Sequence, residues 1–103
     1  MRRRGKVDGN HAAVVSELRG LGFSVVSLAD IGGGVPDLLV GAGAHNFLFE
    51  LKDPAQPPSK RVLTPDQRTF FAEWKGQVRK VTTTEEIVEV VTESYGWTQY
   101  PSE

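Results

Sequence analysis

The segment Gly32-Gly-Gly-Val-Pro-Asp-Leu-Leu-Val-Gly41 is followed, after a short interval, by Asn46-Phe-Leu-Phe-Glu-Leu-Lys52. Both segments are short apolar runs with turn-forming residues nearby, a pattern typical of two strands joined as a β-hairpin. Side chains at positions i and i+2 of a strand share a face, so Glu50 and Lys52 should point the same way. We therefore expect the hairpin to bring Asp37 of its first strand beside a carboxylate and an ammonium group of the second.

Two carboxylates and a lysine arranged in this way can hold a hard divalent cation next to a phosphate group. For Glu50 and Lys52 alone, the alternative is a charged strand face in contact with solvent. A second acid-x-Lys sequence, Glu73-Trp-Lys75, is expected in a helix, where residues two apart point about 200° away from each other and cannot share an ion. The combination of Glu50 and Lys52 with Pro36-Asp37 and with Gln67 favours a metal site.

These motifs resemble a known nuclease family. Pro36-Asp37, followed thirteen residues after Asp37 by Glu50-Leu-Lys52, is similar to the signature of the PD-(D/E)xK nuclease superfamily. The segments 34–40, 49–52 and 63–67 (GVPDLLV, FELK and LTPDQ) look most like its small VRR-NUC and Holliday-junction-resolvase-like branches. The resemblance runs from about residue 10 to residue 91. It implies a restriction-endonuclease-like core and a metal-dependent endonuclease that hydrolyses phosphodiester bonds in DNA, with a preference for branched DNA such as Holliday junctions.

The resemblance also implies a role for each candidate residue. Asp37, Glu50 and the Leu51 carbonyl would hold one Mg²⁺ or Mn²⁺ ion, and Lys52 would orient a metal-bound water and stabilise the charge that develops on the phosphate. In the family a glutamate of the first helix often completes the metal site, and the matching position here, within one residue, is His11. Histidine suits Mn²⁺ better than Mg²⁺. The alternative for His11 is a partly buried side chain that packs on the sheet.

Gln67 is predicted to have two roles. Thr64-Pro-Asp-Gln67 matches the start of a helix, with Thr64 as N-cap, Pro65 in the first helical position and Gln67 completing a capping box. Aromatic residues that should look toward the sheet share the helical face of Gln67: Phe70, Phe71 and Trp74. The resembled families place a glutamine near the catalytic lysine, so Gln67 joins the candidate catalytic residues and both roles can hold.

The distribution of charge suggests where DNA would bind. The chain has 12 basic and 13 acidic residues, so its net charge of −1 does not by itself indicate a polyanionic partner. An exposed loop with three prolines, residues 53–62, follows the proposed site, and the predicted phosphate contacts in and after it are Lys60, Arg61 and Arg68. A further cluster, Arg2-Arg-Arg4 with Lys6, is either a flexible, solubilising start or another phosphate contact.

The hydrophobic pattern outside the hairpin predicts three helices and two strands. They are a helix from the cap Asp8 to the stop at Gly22, a strand over 23–28, a helix after Thr64, a strand over 76–82, and a helix capped by Thr83 and Glu86 that ends near Glu93. The order α-β-β-β-α-β-α indicates an α/β domain with a mixed four-stranded sheet flanked by helices. The 103 residues should form one domain between a basic flexible N-terminus, 1–7, and a C-terminal tail, 94–103.

The compartment and the assembly can also be predicted. The chain has no cysteine, which excludes disulfides and thiolate metal sites and favours a cytoplasmic protein, and no segment is apolar enough to span a membrane. A homodimer is expected because a branched junction presents two strands related by two-fold symmetry, and a C2 dimer would set two sites opposite them. Trp97 and Tyr100 either anchor the tail, stack on bases or join that interface.

Two other functions stay open. The first is a DNA-binding module of the same fold that is catalytically weak or inactive, because no acid occupies the first-helix position. The second is a small interaction protein whose charged strand face is merely solvated. Salt-sensitive DNA binding would exclude the second, and metal-dependent cleavage would exclude the first.

Overall fold

The hairpin forms the centre of a four-stranded sheet. A computed structural model of the protein describes residues 9–95. Its strands are β1 (Ser24–Ser27), β2 (Leu38–Ala42), β3 (His45–Leu51) and β4 (Arg79–Val81), in the spatial order β1-β2-β3-β4. The β1–β2 and β2–β3 pairs are antiparallel and the β3–β4 pair is parallel. The predicted mixed four-stranded sheet is therefore confirmed.

The turn of the hairpin accounts for its register. Ala42 pairs with His45, which leaves a two-residue loop of Gly43 and Ala44. Both loop residues have positive φ, 58° and 68°. Two-residue hairpin loops favour this conformation because its twist matches that of the flanking strands. The register that follows pairs Leu38 with Phe49 and so sets the strand face on which Asp37 and Glu50 meet.

The three helices are α1 (His11–Gly20), α2 (Pro65–Glu73) and α3 (Thr84–Tyr95), and a short 3₁₀ turn covers Pro58–Lys60. The predicted cap of the first helix is wrong, because the N-cap position is Asn10. The Asn10 amide group donates to the carbonyl of Thr82 at 2.9 Å and to that of Lys52 at 3.4 Å, and so ties α1 to the ends of two strands. Asp8, the arginine cluster, Trp97 and Tyr100 lie outside the described residues. Within residues 9–95, no helix has the length and apolarity needed to cross a bilayer.

The hydrophobic core lies between one face of the sheet and helices α1 and α3. Its central cross-strand row is Val25, Val40 and Phe47, which pair in that order. The helices contribute Val14, Leu18, Ile87, Val90 and Val91 to the same buried cluster. Helix α2 has no buried residue and takes no part in this core.

The opposite face of the sheet is only partly covered. Val26, Leu39 and Leu48 form a cross-strand row there, and Val26 is 52% exposed. Trp74, which follows α2, is 47% exposed and lines a cavity of about 390 Å³ with Leu39 and Leu48. Trp74 stacks on Phe70 with ring centroids 5.0 Å apart. The aromatic end of α2 therefore lies over this outer face, as its sequence predicted.

Two boundaries differ from the prediction. Helix α2 ends at Glu73 and the Trp74 backbone is extended, so the sequence Glu73-Trp-Lys75 is not wholly helical. Strand β4 begins only at Arg79, although the pattern predicted a strand from residue 76. The Gln77 side-chain amide takes the place of a backbone ladder there: it accepts from Leu48 N at 2.6 Å and donates to the Leu48 carbonyl at 3.2 Å.

Candidate functional site

The hairpin brings Asp37 to the strand that carries Glu50 and Lys52. Asp37 directly precedes β2, and the pairing of Leu38 with Phe49 places it opposite Glu50. One Asp37 carboxylate oxygen, Oδ2, accepts a hydrogen bond of 2.8 Å from the backbone N–H of Leu51. The Asp37 carbonyl accepts from Leu28 N at 2.7 Å, which holds its backbone to the end of β1. These bonds hold the Asp37 carboxylate at the Leu51 backbone, and Leu51 lies between Glu50 and Lys52 on the strand.

Gln67 bridges the acid and the lysine of β3. Its Nε2 donates to Glu50 Oε2 at 3.0 Å, and its Oε1 accepts from Lys52 Nζ at 2.9 Å. Lys52 Nζ itself lies 3.5 Å from Glu50 Oε2. Since Glu50 and Lys52 are only 2% and 6% exposed, these contacts replace most of their hydration. The predicted convergence of Glu50, Lys52 and Gln67 is present.

The start of α2 holds Gln67 in this position. Thr64 Oγ1 accepts from Gln67 N at 3.2 Å, and Gln67 Oε1 accepts from Thr64 N at 2.9 Å, which completes the predicted capping box. Pro65 occupies the first helical turn, where its missing N–H costs nothing. The same Gln67 oxygen therefore serves the helix cap and the Lys52 ammonium group. The predicted cap and the predicted position near Lys52 are both present, and a catalytic role for Gln67 stays a prediction.

Glu50 is electrostatically unusual. The pKa of its carboxyl group is raised from 4.5 to about 8: burial is the largest cause, the adjacent Asp37 carboxyl acts in the same direction, and Lys52 opposes both effects in part. Its second oxygen, Oε1, is buried and has no hydrogen-bond partner within residues 9–95. Two adjacent carboxyl groups of this kind need either a shared proton or a cation. Oxygen ligands and a net negative charge suit Mg²⁺ or Mn²⁺.

The donor set for a cation is small. Among the residues that the structure describes, no group of three or more His, Cys, Asp or Glu side chains could hold a metal ion. A cation here would rely on Asp37, Glu50, the predicted Leu51 carbonyl and water. This fits Mg²⁺, which keeps several waters and takes one or two carboxylates from the protein. The buried, unpartnered Glu50 Oε1 is the observation that supports the fit.

His11 lies at the start of α1, half-buried against β1. Its Nε2 is 3.1 Å from Ser27 Oγ, and its Nδ1 is buried without a partner in the described chain. His11 is not among the residues that line the cavity at Asp37 and Glu50. The packing alternative is thus what the contacts show, and a role as metal ligand stays a prediction.

A cavity of about 590 Å³ opens from the acid pair toward the loop that precedes α2. Lys60 and Arg68 line it, and Arg68 Nη1 donates to the Leu63 carbonyl at 3.0 Å. Their predicted contact with phosphate stays a prediction. Arg61 does not line the cavity. Its carbonyl accepts from Lys80 Nζ at 3.0 Å, and its own Nε is buried with no partner in residues 9–95. Arg61 anchors the loop to β4, and contact between Arg61 and DNA stays a prediction.

Sequence reasoning missed three residues that shape this cavity. Gln56 and Ser59 lie on its loop wall, and Gly9 lies at the end nearest α1. Loop residues without a periodic pattern give no indication of which side they face.

Comparison of the chain with protein-family models, with curated proteins and with solved structures finds no match.

Proposed function

We propose that the protein is a metal-dependent endonuclease of the PD-(D/E)xK type, closest to the VRR-NUC and Holliday-junction-resolvase-like branches, with a restriction-endonuclease-like core. The observation that carries the proposal is the convergence of Asp37, Glu50, Lys52 and Gln67 at one cavity. A solvated strand face would leave Glu50 and Lys52 exposed, whereas here both are buried. Burial of a charged pair beside a second acid is costly, and such arrangements cluster at functional sites.

The residues have distinct parts in the proposed reaction. A Mg²⁺ or Mn²⁺ ion held by Asp37, Glu50 and the Leu51 carbonyl would supply a hydroxide-like nucleophile and polarise the scissile phosphate. Asp37 is held for this purpose by its bond from Leu51 N. Lys52 would donate hydrogen bonds from its ammonium group, which orient the attacking water and stabilise the charge that develops on the phosphate oxygens. Gln67 fixes the Lys52 ammonium group so that it need not reorganise as charge develops.

Contacts to the DNA backbone come from the far wall of the cavity. Lys60 and Arg68 line it, and both are exposed. Cationic side chains of this kind neutralise phosphates and make binding sensitive to salt. Arg61, held by its backbone to Lys80, would contribute from the same loop. The proposal also includes a preference for branched DNA, which the family resemblance implies, and a cytoplasmic location, which the composition favours.

A homodimer is part of the proposal. Support comes from the outer face of the sheet, where the row Val26, Leu39 and Leu48 leads to the half-exposed Trp74. Exposed aromatic and aliphatic side chains in one patch are typical of protein interfaces. This patch lies on the sheet face that also carries Glu50, because Leu48 and Glu50 are two residues apart on β3. A second copy on this face would set two active sites in one assembly.

The second candidate is a DNA-binding module with weak or no catalysis. The observation that favours it is the small ligand set, since His11 bonds to Ser27 and no third acidic side chain joins Asp37 and Glu50 in the described residues. Such a module would still bind DNA through Lys60 and Arg68, and this binding would weaken with salt. Cleavage, not binding, therefore separates the two candidates.

The deciding experiment uses labelled single-stranded, duplex, flapped and four-way DNA with Mg²⁺, Mn²⁺ or a chelator. The wild-type protein should cleave only with metal, and Asp37→Ala should not cleave. Glu73→Ala is the matched control, because it removes an exposed acid from the second acid-x-Lys sequence. Cleavage by Asp37→Ala at the wild-type rate would refute the proposal. Salt-sensitive binding without cleavage under any metal would establish the binding module.

A further inference from the structure

Gly34 is in close contact with the first turn of α2. A Cβ atom built on Gly34 would lie 2.3 Å from the Asp66 carbonyl oxygen and 3.0 Å from the Gln67 backbone nitrogen. These are backbone atoms of a capped helix, so they cannot move aside as a flexible side chain could. Gly34 also has φ +84°, a conformation that residues with a side chain rarely adopt. Only glycine fits at this point of the turn.

The contact joins the two segments that supply the site. Gly34 precedes the buried Pro36 and then Asp37, whose carboxylate is bonded to Leu51 N. On the other side of the contact, the first turn of α2 carries Gln67, which reaches Glu50 at 3.0 Å and Lys52 at 2.9 Å. Hydrogen bonds weaken steeply once the donor–acceptor distance grows by several tenths of an ångström. The spacing between Gly34 and α2 therefore affects both bonds of Gln67.

We propose that Gly34 is a positioning residue: its lack of a side chain lets the first turn of α2 approach the Asp37 turn closely enough for Gln67 to bridge Glu50 and Lys52. The effect on catalysis rests on the proposed nuclease function. The effect on Gln67 does not, because it concerns only the distance between two segments of the folded chain.

Gly32 and Gly33 provide matched controls within the same turn. They have φ +77° and +65°, close to that of Gly34, and a Cβ atom on either would meet nothing within 4 Å. Alanine at any of the three positions carries a similar backbone strain. Only Gly34→Ala adds the collision with α2, so the difference between Gly34→Ala and Gly33→Ala isolates the contact.

The first test follows the Gln67 side-chain amide by ¹H–¹⁵N NMR, with its signals assigned from their loss in Gln67→Ala. In Gly33→Ala the Gln67 side-chain shifts and slow hydrogen exchange should match those of the wild type. In Gly34→Ala the shifts should move toward those of a solvated amide and exchange should accelerate. A Gln67 amide unchanged in Gly34→Ala would overturn the inference. This test needs no catalytic activity, so it stands even if the protein cleaves no DNA.

The second test is a double-mutant cycle in DNA cleavage. Gly34→Ala should lower kcat by about ten- to a hundredfold, the range expected when a catalytic group is misplaced by about 1 Å, with little change in KM. Added to Gln67→Ala, it should cause no further loss, because the effect passes through Gln67. Gly33→Ala should retain most of the wild-type kcat. Equal losses in Gly33→Ala and Gly34→Ala, or independent losses in the double variant, would overturn the inference.

A third measurement covers the case in which Gly34→Ala does not fold. The wild-type protein should give a nuclear Overhauser contact between the Gly34 α-protons and the Gln67 backbone amide proton. Absence of the wild-type contact would refute the proposal.

Discussion

Glu50-Leu-Lys52 and Glu73-Trp-Lys75 repeat one pattern, an acid and a lysine two residues apart, in two different environments. The first lies at the end of β3, where the acid is 2% and the lysine 6% exposed. The second lies where α2 ends, and both of its charged residues are exposed. Their middle residues differ as well, since Leu51 is fully buried and Trp74 is half-exposed. Strand geometry and burial, not the three-residue pattern, therefore distinguish the candidate site.

The difference has an energetic meaning. Removing a carboxylate and an ammonium group from water costs several kcal/mol per ion unless partners compensate. At Glu50 and Lys52 the partners are Gln67 and the ion pair itself, yet Glu50 Oε1 stays without a partner in the described chain. Glu73 and Lys75 are exposed and stay hydrated, so they carry no desolvation cost that partners would have to compensate. Within the described residues, Oε1 of the Glu50 carboxyl group in the first copy therefore lacks a partner that a cation could supply, whereas the exposed Glu73 of the second copy needs none.

The largest expected effect is on metal binding and cleavage. Asp37→Ala and Glu50→Ala should abolish both, because these carboxylates are the proposed ligands. Lys52→Ala should keep the metal and lose about 10²- to 10³-fold in rate, the usual effect of removing a preorganised electrostatic group. Calorimetric titration with Mg²⁺ and Mn²⁺, together with cleavage rates, measures both effects.

The second copy provides the control for these variants. Glu73→Ala and Lys75→Ala should change neither metal affinity nor cleavage rate, since both side chains are exposed and neither lines the cavity at Asp37. A loss of cleavage in Glu73→Ala equal to that in Glu50→Ala would refute the claim that burial distinguishes the functional copy from the exposed one.

A second expected effect concerns the pH dependence of stability in the metal-free protein. The folded-state pKa of Glu50 is about 8, above its ordinary value of 4.5, so the folded state binds the proton more tightly than the unfolded state does. This contribution to stability is complete below about pH 4.5 and is lost as the pH rises through about 8. At about 1.4 kcal/mol per pKa unit, the loss amounts to a few kcal/mol at most. Urea unfolding at several pH values with a chelator present would measure it.

The matched pair for this measurement is Glu50→Gln and Glu73→Gln. Glu50→Gln removes the titrating group and should flatten the decline in unfolding free energy between pH 5 and pH 8. Glu73→Gln should leave the decline as in the wild type. A decline that persists in Glu50→Gln would mean that another group causes it.

Local patterns account for the parts of the site that could be predicted. The alternation around Glu50, the turn before Asp37 and the cap at Thr64 are each contained within a few neighbouring residues, so the sequence indicates them directly. The hairpin then brings the first two together without further information, because strands joined by a tight turn must pair. Gln67 was predicted to face the sheet from its helical position alone.

The rest depends on contacts between distant segments. The Asn10 side-chain amide ties the start of α1 to the carbonyls of Thr82 and Lys52, and Lys80 Nζ donates to the backbone carbonyl of Arg61. No periodicity encodes either contact. The approach of Gly34 to α2 is of the same kind, since three consecutive glycines do not indicate which one meets another segment.

A smaller effect is expected from the middle residues of the two copies. Trp74→Ala should weaken the proposed dimer, because Trp74 lies half-exposed beside the outer-face row, and Val26→Lys should do so by placing a charge within that row. Light scattering at micromolar concentration, with and without four-way DNA, measures the assembly. Ser16→Lys, an exposed position on α1, is the control and should leave it unchanged. A monomeric wild type that cuts both strands of one junction in a single binding event would exclude the dimer.

The smallest expected effect is on metal preference, and it concerns His11 as a third side-chain ligand beside Asp37 and Glu50. His11 occupies the position of the first-helix acid of the resembled family, but its Nε2 bonds to Ser27 Oγ. We therefore expect His11→Glu to leave the ratio of Mg²⁺- to Mn²⁺-supported cleavage nearly unchanged. His45→Glu, at the far end of the hairpin, is the matched control. A shift toward Mg²⁺ in His11→Glu alone would instead make this position a ligand, because a carboxylate oxygen suits Mg²⁺ better than an imidazole does. The site at Glu50 and Lys52 would then have a third side-chain ligand for the metal, which the exposed sequence Glu73-Trp-Lys75 lacks.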